Sequence, residues 1–301
     1  MTNSYIWAIF SGALQAMVPI TLAATGEVIT ESAGLFNIGL EGILLVSALT
    51  GALGAELGGP LVGFLVGFGT GFGIGLLFGL IATYFMGNQL ITGVGINLFA
   101  LGLVAFWLIH LGVPGHHAVP REAQVIDIPT PWGGISPMIF VALLLPFLAY
   151  RLLFKTKLGL KIRAVGETPH AADVAGINVN LLRLFTAAFG ASLAGVGGAY
   201  LSIDWIGSVT KEISAGRGFI ALATVVFSGL NPLLVLLGGF IFGLFDYLAV
   251  WISTLPNIRG IIPWQFVAML PYVITLGTLI VVTLFKRARF PSALGKPYQR
   301  E

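Results

Sequence analysis

Cysteine is absent from the sequence, and charged residues are scarce. Without cysteine in its 301 residues, the chain has no disulfide framework, no thiol catalysis and no cysteine metal site. Asp, Glu, Lys and Arg make up only 9% of the chain, whereas soluble domains carry roughly a quarter. A chain so poor in charge would expose apolar surface to water, so the composition predicts a polytopic membrane protein.

The common motifs of enzymes are also missing. The sequence contains no H-E-x-x-H metal motif, no G-x-S-x-G nucleophile motif and no G-x-x-x-x-G-K-[ST] phosphate loop. His116 and His117 are adjacent in a loop, where solvated histidines are commoner than metal ligands. We therefore expect a chain that is not an enzyme and binds no cofactor or metal of its own.

Apolar runs near the roughly 20 residues needed to cross a bilayer recur along the chain. They predict an all-α, polytopic helical bundle of about nine spans (eight to ten), forming one domain of residues 1–301. The first run lacks a basic leader, so we interpret it as a retained span. The run 217–230 is short for a crossing and is predicted to be a half-helix or a tilted span. The predicted spans are 5–24, 35–55, 60–85, 89–111, 135–154, 181–202, 217–230, 233–254 and 264–285.

The basic residues are concentrated in two places, the loop 155–180 with its flanks and the C-terminal tail. Because cytoplasmic loops are enriched in Lys and Arg, we expect both places, and the loop 25–34, to be cytoplasmic. The N-terminus and the loops 112–134 and 203–216 are then outside. Because the positive charges lie beside spans, they also argue against nucleic acid as a partner, despite the net charge of +3. Eleven of the fifteen basic residues belong to these places: Arg151, Lys155, Lys157, Lys161, Arg163, Arg183, Lys286, Arg287, Arg289, Lys296 and Arg300.

Glycine recurs every four residues in the third predicted span. Small residues at this spacing let helices approach closely inside a membrane. Because four residues overshoot a helical turn by about 40°, the glycine groove winds around the helix and is expected to meet more than one neighbour. Helix packing is the expected role, and lining a path is the alternative. The six positions are Gly59, Gly63, Gly67, Gly71, Gly75 and Gly79.

Polar side chains inside spans are the main candidates for function, since they are costly in lipid and usually face a bundle interior. Asn37 and Glu41 are four residues apart, which predicts that they share one helix face. Asn97 and Asp246 also lie within spans, and Arg217 could neutralise a carboxylate. The residues leave open whether this set lines a route or only joins helices.

The basic loop 155–180 contains a short capped segment. Thr168 suits a helix N-cap, Pro169 the first helical position and Gly176 the helix end. The HAADVA sequence between them predicts about two helical turns. Such a helix is suited to docking a soluble partner, while a plain ordered loop is the alternative.

Two stretches, GEVITESAGLFNIGLEGILL and GLKIRAVGETPHAADVAGINV, together resemble permease subunits of ATP-binding-cassette importers. The branch is the one for branched-chain amino acids, ribose-type sugars and nucleosides, and the first motif looks most like its nucleoside branch. The resemblance implies a prokaryotic cytoplasmic-membrane location, a partner ATPase with two nucleotide-binding halves that carries ATP and Mg²⁺, a receptor lipoprotein and a second, different permease. It also assigns contact with the ATPase to the loop residues Arg163, Gly166, Glu167, Pro169, Ala172, Asp173 and Gly176.

A weak internal sequence similarity accompanies this resemblance. AGLFNIGLEGILLVSALTGAL and AGRGFIALATVVFSGLNPLL both begin with Ala-Gly and open short, glycine-broken spans. By analogy with transporters built from inverted repeats, Asn37 and Glu41 would face the seam between two halves; chance similarity is the alternative. An importer of sugars or branched-chain amino acids remains a rival, as does an ion-coupled secondary carrier with Glu41 and Asp246 as its ion sites.

Overall fold

The apolar runs form long helices in the structure, a computed structural model that describes residues 2–111, 115–130, 133–254, 266, 269–285 and 290–299. Part of the last predicted span and Lys286, Arg287, Arg289 and Arg300 of the basic tail lie outside the described residues. The helices are α1 (Thr2–Ser32), α2 (Leu40–Gly58), α3 (Pro60–Thr83), α4 (Gln89–His110), α5 (Met138–Lys155), α6 (Lys157–Glu167), α7 (Pro169–Val174), α8 (Val179–Tyr200), α9 (Arg217–Ser228), α10 (Pro232–Thr254) and α11 (Leu270–Phe285).

Seven of the described helices are long and apolar enough to cross a membrane, namely α1, α2, α3, α4, α5, α8 and α10. The last residues of α8 continue into a π-helical turn, Leu201–Trp205. Helix α9 has 12 residues, so the prediction of a short helix after Arg217 is confirmed. The chain is therefore a helical, polytopic membrane protein.

The predicted boundary between the first two spans was wrong. Helix α1 continues through the predicted loop 25–34 as far as Ser32. Residues 33–39 are not helical, and α2 begins only at Leu40. Asn37 therefore precedes the helix that contains Glu41, and the prediction that the two share one helix face was wrong.

The glycine repeat of α3 is a packing surface, as predicted. A Cβ on Gly71 would lie 2.5 Å from the Ala191 carbonyl oxygen, and one on Gly75 would lie 2.5 Å from the Ala191 Cβ. Both neighbours belong to α8. Gly63, one turn into α3, instead lies against α2, where its Cβ would be 2.7 Å from the Gly51 carbonyl oxygen. The groove thus meets two helices, because its residues wind around α3.

One end of the bundle carries short β-structure that the all-α expectation omitted. Strand β1 (His116–Ala118) pairs antiparallel with β4 (Ser208–Thr210), and β2 (Ile128–Thr130) with β3 (Gly133–Ile135). His117 Nε2 lies 2.6 Å from Glu56 Oε1, near the end of α2. These contacts place the loop after α4 and the segment after α8 at the same end of the bundle.

The opposite end gathers three segments that are distant in sequence. The amide of Ala293 donates to the Gly166 carbonyl (3.1 Å), and the amide of Gly295 donates to the Gly34 carbonyl (3.1 Å). A Cβ on Gly166 would lie 2.3 Å from the Ser32 carbonyl oxygen. The end of α1, the loop 155–180 and the segment 290–299 therefore share one end of the bundle.

Candidate functional site

The non-helical segment between α1 and α2 is held by side chains of other elements. The amide of Phe36 donates to Gln89 Oε1 on α4, and the amide of Asn37 donates to Glu27 Oε1 on α1, both at 2.8 Å. Asn97 on α4 donates from Nδ2 to the Ile38 carbonyl (3.0 Å). Backbone outside a helix is tolerated at membrane depth only where such partners are present, so these polar residues maintain the break.

Asn37 closes this segment locally. Its Oδ1 accepts the amide hydrogen of Gly39 at 2.8 Å, two residues along the chain. This contact forms a side-chain turn of the kind that asparagine favours. Asn37 is buried, and its contacts shape the start of α2 instead of reaching the seam with α9.

Glu41 joins the first turns of α2 and α9. Its Oε1 accepts the amide hydrogen of Gly216 and its Oε2 that of Gly218, both at 2.7 Å. A carboxylate at this position meets unpaired amides and the positive end of the α9 dipole. A Cβ on Gly218 would lie 2.4 Å from the Glu41 amide nitrogen, so glycine is what permits the contact.

Arg217 and Asp246 form a buried ion pair between α9 and α10. Arg217 Nε lies 2.9 Å from Asp246 Oδ2, and the two residues are 5% and 7% exposed. Arg217 Nη1 also donates to the Ile213 carbonyl (3.2 Å). Its guanidinium lies over the Trp205 ring, 4.6 Å from the centroid. The expectation that Arg217 neutralises a carboxylate is confirmed, and the pair fixes α9 against α10.

Two acidic residues and one basic residue in the bundle were missed as candidates. Glu27 and Glu31 of α1 are 0% and 1% exposed, and Glu31 has no hydrogen-bond partner for either carboxylate oxygen among the described residues. Arg183 on α8 is 1% exposed and donates to the carbonyls of Ala33 and Lys296, each at 3.1 Å. Glu27 and Glu31 fall in the predicted loop 25–34, so they were not considered among the polar residues inside spans.

The loop 155–180 contains two helices, and only α7 was predicted. Gly176 adopts φ +81° and its amide donates to the Asp173 carbonyl (2.8 Å), so the predicted glycine end is confirmed. Thr168 occupies the N-cap position of α7 but makes no side-chain cap bond, and the expected side-chain cap was wrong. Pro169 is the first helical residue as predicted. The additional helix α6 begins at the cap residue Thr156, whose hydroxyl oxygen accepts the Gly159 amide hydrogen.

Ala172 was predicted to contact a partner, but it is 4% exposed and packs with Val165, Val179 and Tyr298. Its side chain cannot reach a docked protein without disturbing this cluster. Val174, at the end of the same helix, is 90% exposed. The surface that α7 presents is therefore its Val174 side.

The segment 290–299, which we call the C-terminal strap, lies across this loop. Tyr298 Oη donates to Asp173 Oδ2 (2.9 Å), and the Ser292 hydroxyl donates to the Glu167 carbonyl. Arg163 makes neither contact: its Nε donates to the Leu153 carbonyl (3.1 Å), and its guanidinium lies over the Phe154 ring. Glu167 and Asp173 thus hold the strap, while Arg163 fixes the corner between α5 and α6.

The five predicted intramembrane residues form two separate groups in the structure. Glu41, Arg217 and Asp246 meet around the start of α9. Asn97 belongs with the break before α2, where its Oδ1 also accepts the amide hydrogen of Gly42 (2.8 Å). These contacts join helix to helix or helix to loop, except the Asn37–Gly39 turn, which lies within the loop before α2.

Comparison of the sequence with known proteins shows the family to which the chain is similar. A family model described as "Branched-chain amino acid transport system / permease component" matches residues 8–283. The nucleoside ABC transporter permease protein NupC of Lactococcus lactis is 32% identical over 93% of both chains. The guanosine ABC transporter permease protein NupQ of Bacillus subtilis is 33% identical over 93% of this chain and 92% of its own. TsgC13 of Haloferax volcanii, provisionally described as a glucose ABC transporter permease protein, is 30% identical over 99% of both. No solved structure matches the chain.

Proposed function

The chain belongs to the permease family of branched-chain amino acid transport systems, and on that premise we propose that it is the membrane-spanning permease subunit of an ATP-driven nucleoside importer. The observation that carries the proposal is the similarity to NupC and NupQ along almost the whole chain. The family is one of transport subunits, so this chain is a translocation subunit and not an enzyme. Hydrolysis of ATP, with Mg²⁺, belongs to a separate ATPase subunit.

A nucleoside is the favoured cargo because two relatives, from different organisms, are named for nucleoside and guanosine transport. The Haloferax volcanii relative keeps a simple sugar as the second candidate. Binding of the cognate receptor lipoprotein to a panel of nucleosides, sugars and branched-chain amino acids discriminates the candidates. Preferential binding of nucleosides is expected, and tight binding of glucose without nucleosides would assign the chain to sugar import.

The ion-coupled carrier is disfavoured by the contacts of its two candidate ion sites. Glu41 is occupied by two amides, and Asp246 by Arg217. The test is uptake of labelled nucleoside into vesicles that contain the permeases and receptor, with and without the ATPase. Uptake only with ATPase and ATP is expected. Uptake at the same rate without the ATPase would replace the importer by the secondary carrier.

Contact with the ATPase is assigned to the end of the bundle that carries α6 and α7. The support is the exposed Val174 on a helix fixed by the C-terminal strap. Val174→Arg should leave insertion and receptor binding intact but lower ATPase binding, uptake and receptor-stimulated hydrolysis together. Leu57→Arg is the matched control, since Leu57 is 89% exposed at the opposite end. Equal losses in both variants would contradict the assignment.

We place the end of the bundle that carries α6 and α7 in the cytoplasm, and we count nine membrane crossings. Helix α10 runs antiparallel to α1, since Gly239 contacts Thr21 and Gly243 contacts Met17. Residues 206–228 must then return across the bundle from the β-structured end, partly as non-helical chain and partly as α9. Cysteines replacing Ile126 and Ala171 are expected to react with an impermeant reagent from outside and inside, respectively. Labelling of both from one side would remove this topology.

A second permease of different sequence completes the proposed assembly. The support is the resemblance to nucleoside systems, which pair two permeases. Co-purification of a tagged chain with one distinct permease and the ATPase is the expected result. Recovery of a functional assembly that contains only copies of this chain would contradict the pairing.

A further inference from the structure

An apolar cleft of about 350 Å³ opens at the side of the bundle, in the half nearest the loop 155–180. Its lining residues come from α1, α3, α5, α6 and α8. Three of its lining residues, Phe185, Phe189 and Leu158, are 54%, 42% and 47% exposed, so the cleft is open at the bundle surface. The principal lining side chains are Phe72, Leu152, Leu158, Ile162, Phe185 and Phe189.

The lining offers almost nothing to a polar ligand. Thr186 supplies the one hydroxyl among its described residues, and that hydroxyl already donates to the Arg183 carbonyl at 2.9 Å. Apolar ligands bind such clefts through burial of their surface. A hydrocarbon chain therefore fits the lining, whereas a sugar or a nucleoside does not.

Exposed basic residues directly precede three of the lining residues in sequence. Leu158 and Ile162 line it from α6, and each is preceded by an exposed lysine, Lys157 and Lys161. Because one helical step is about 100°, the two lysines share a face directly beside the lining face. Arg151, also exposed, precedes the lining residue Leu152 on α5. Three exposed cations thus adjoin lining residues of the cleft in sequence.

The position of α6 is fixed, which makes the cleft a built feature. A Cβ on Gly159 would lie 2.1 Å from the Leu152 carbonyl oxygen and 2.4 Å from that of Leu153. The start of α6 therefore lies directly against the end of α5. Arg163 is turned inward to the Leu153 carbonyl, so it is not counted among these cations.

From the apolar lining and the adjoining exposed cations we propose that this cleft binds an anionic phospholipid of the surrounding bilayer. One acyl chain occupies the cleft, and the phosphate group is bound by Lys157 and Lys161. Basic pockets between membrane helices are known to select anionic head groups, and the lysine stems extend along apolar surface while their charged ends reach the interface. Since α6 leads through Thr168 into α7, the lipid would also hold the orientation of α7.

Native mass spectrometry of the full chain, extracted from vesicles of phosphatidylethanolamine with phosphatidylglycerol or phosphatidylcholine, tests the proposal. The wild type is expected to retain phosphatidylglycerol in preference to phosphatidylcholine. Lys157→Gln with Lys161→Gln should lower that preference roughly 10- to 30-fold, from two lysine contacts with an anionic surface. Lys211→Gln, an exposed lysine at the other end, should leave it unchanged. Equal retention of both lipids by the wild type would overturn the proposal.

A second pair of variants tests the acyl-chain cleft itself. Leu158→Gln places an amide in the lining and should reduce retention of any phospholipid. Leu160→Gln changes the same helix at a residue that is 61% exposed and outside the lining, so it should retain lipid as the wild type does. Equal losses in the two variants would overturn the proposal. Displacement of phosphatidylglycerol by the second permease would do so too, because the cleft would then be a subunit interface.

Discussion

Replacement of Glu41 by glutamine tests whether one carboxylate joins α2 to α9. Each carboxylate oxygen accepts one backbone amide, from Gly216 and from Gly218, at 2.7 Å. Glutamine has a single acceptor oxygen, so its NH₂ group must face one of these amides. Glu41→Gln therefore removes one hydrogen bond and the negative charge at the start of α9.

The cost follows from these two losses. A hydrogen bond to a charged group contributes about 1.5–3 kcal/mol, and a charge near a helix N-terminus about 0.3–1 kcal/mol. Together they predict that local opening of the start of α9 becomes easier by about 2–4 kcal/mol. If this opening governs amide exchange, protection of the segment falls roughly 30- to 700-fold.

Hydrogen exchange measured by mass spectrometry on nanodisc-embedded protein checks this value in peptides that cover residues 213–220. Glu56→Gln is the matched control, because it makes the same change on the same helix, where Glu56 faces His117 at the exposed end. The control should exchange as the wild type does in residues 213–220. Wild-type protection of this segment in Glu41→Gln would refute the idea that the carboxylate holds α9.

Two further predictions concern the packing of the bundle. Gly75→Val places a Cβ 2.5 Å from the Ala191 Cβ and should destabilise the α3–α8 contact by about 1–3 kcal/mol. The control is Gly73→Val, where a Cβ meets nothing within 4 Å, and this variant should unfold thermally as the wild type does. Equal unfolding midpoints for the two variants would contradict the packing role. Asp246→Ala leaves the Arg217 charge buried and should cost about 3–5 kcal/mol. Asp246→Leu combined with Arg217→Met should recover most of that loss in thermal unfolding, and a double variant less stable than the single one would oppose the ion-pair account.

Several features of this protein follow from the sequence alone. The apolar runs locate the seven long helices to within a few residues, except at the junction of α1 and α2, because a bilayer demands a minimum length of apolar helix. The four-residue glycine spacing predicts close helix contacts, since that spacing keeps a helix surface free of side chains. The positive φ of Gly176 at the end of α7 likewise needs only local chemistry.

The break before α2 and the contacts of Glu41 depended on the tertiary structure. The rule that residues four apart share a face assumes an uninterrupted helix, and Asn37 lies in the interruption. That interruption persists because Gln89 and Asn97 bond backbone groups 53 to 59 residues away in sequence. Glu41 finds its partners 175 and 177 residues away. Local patterns cannot specify such pairs, because backbone that leaves a helix in a membrane takes its hydrogen-bond partners from whichever helices pack beside it.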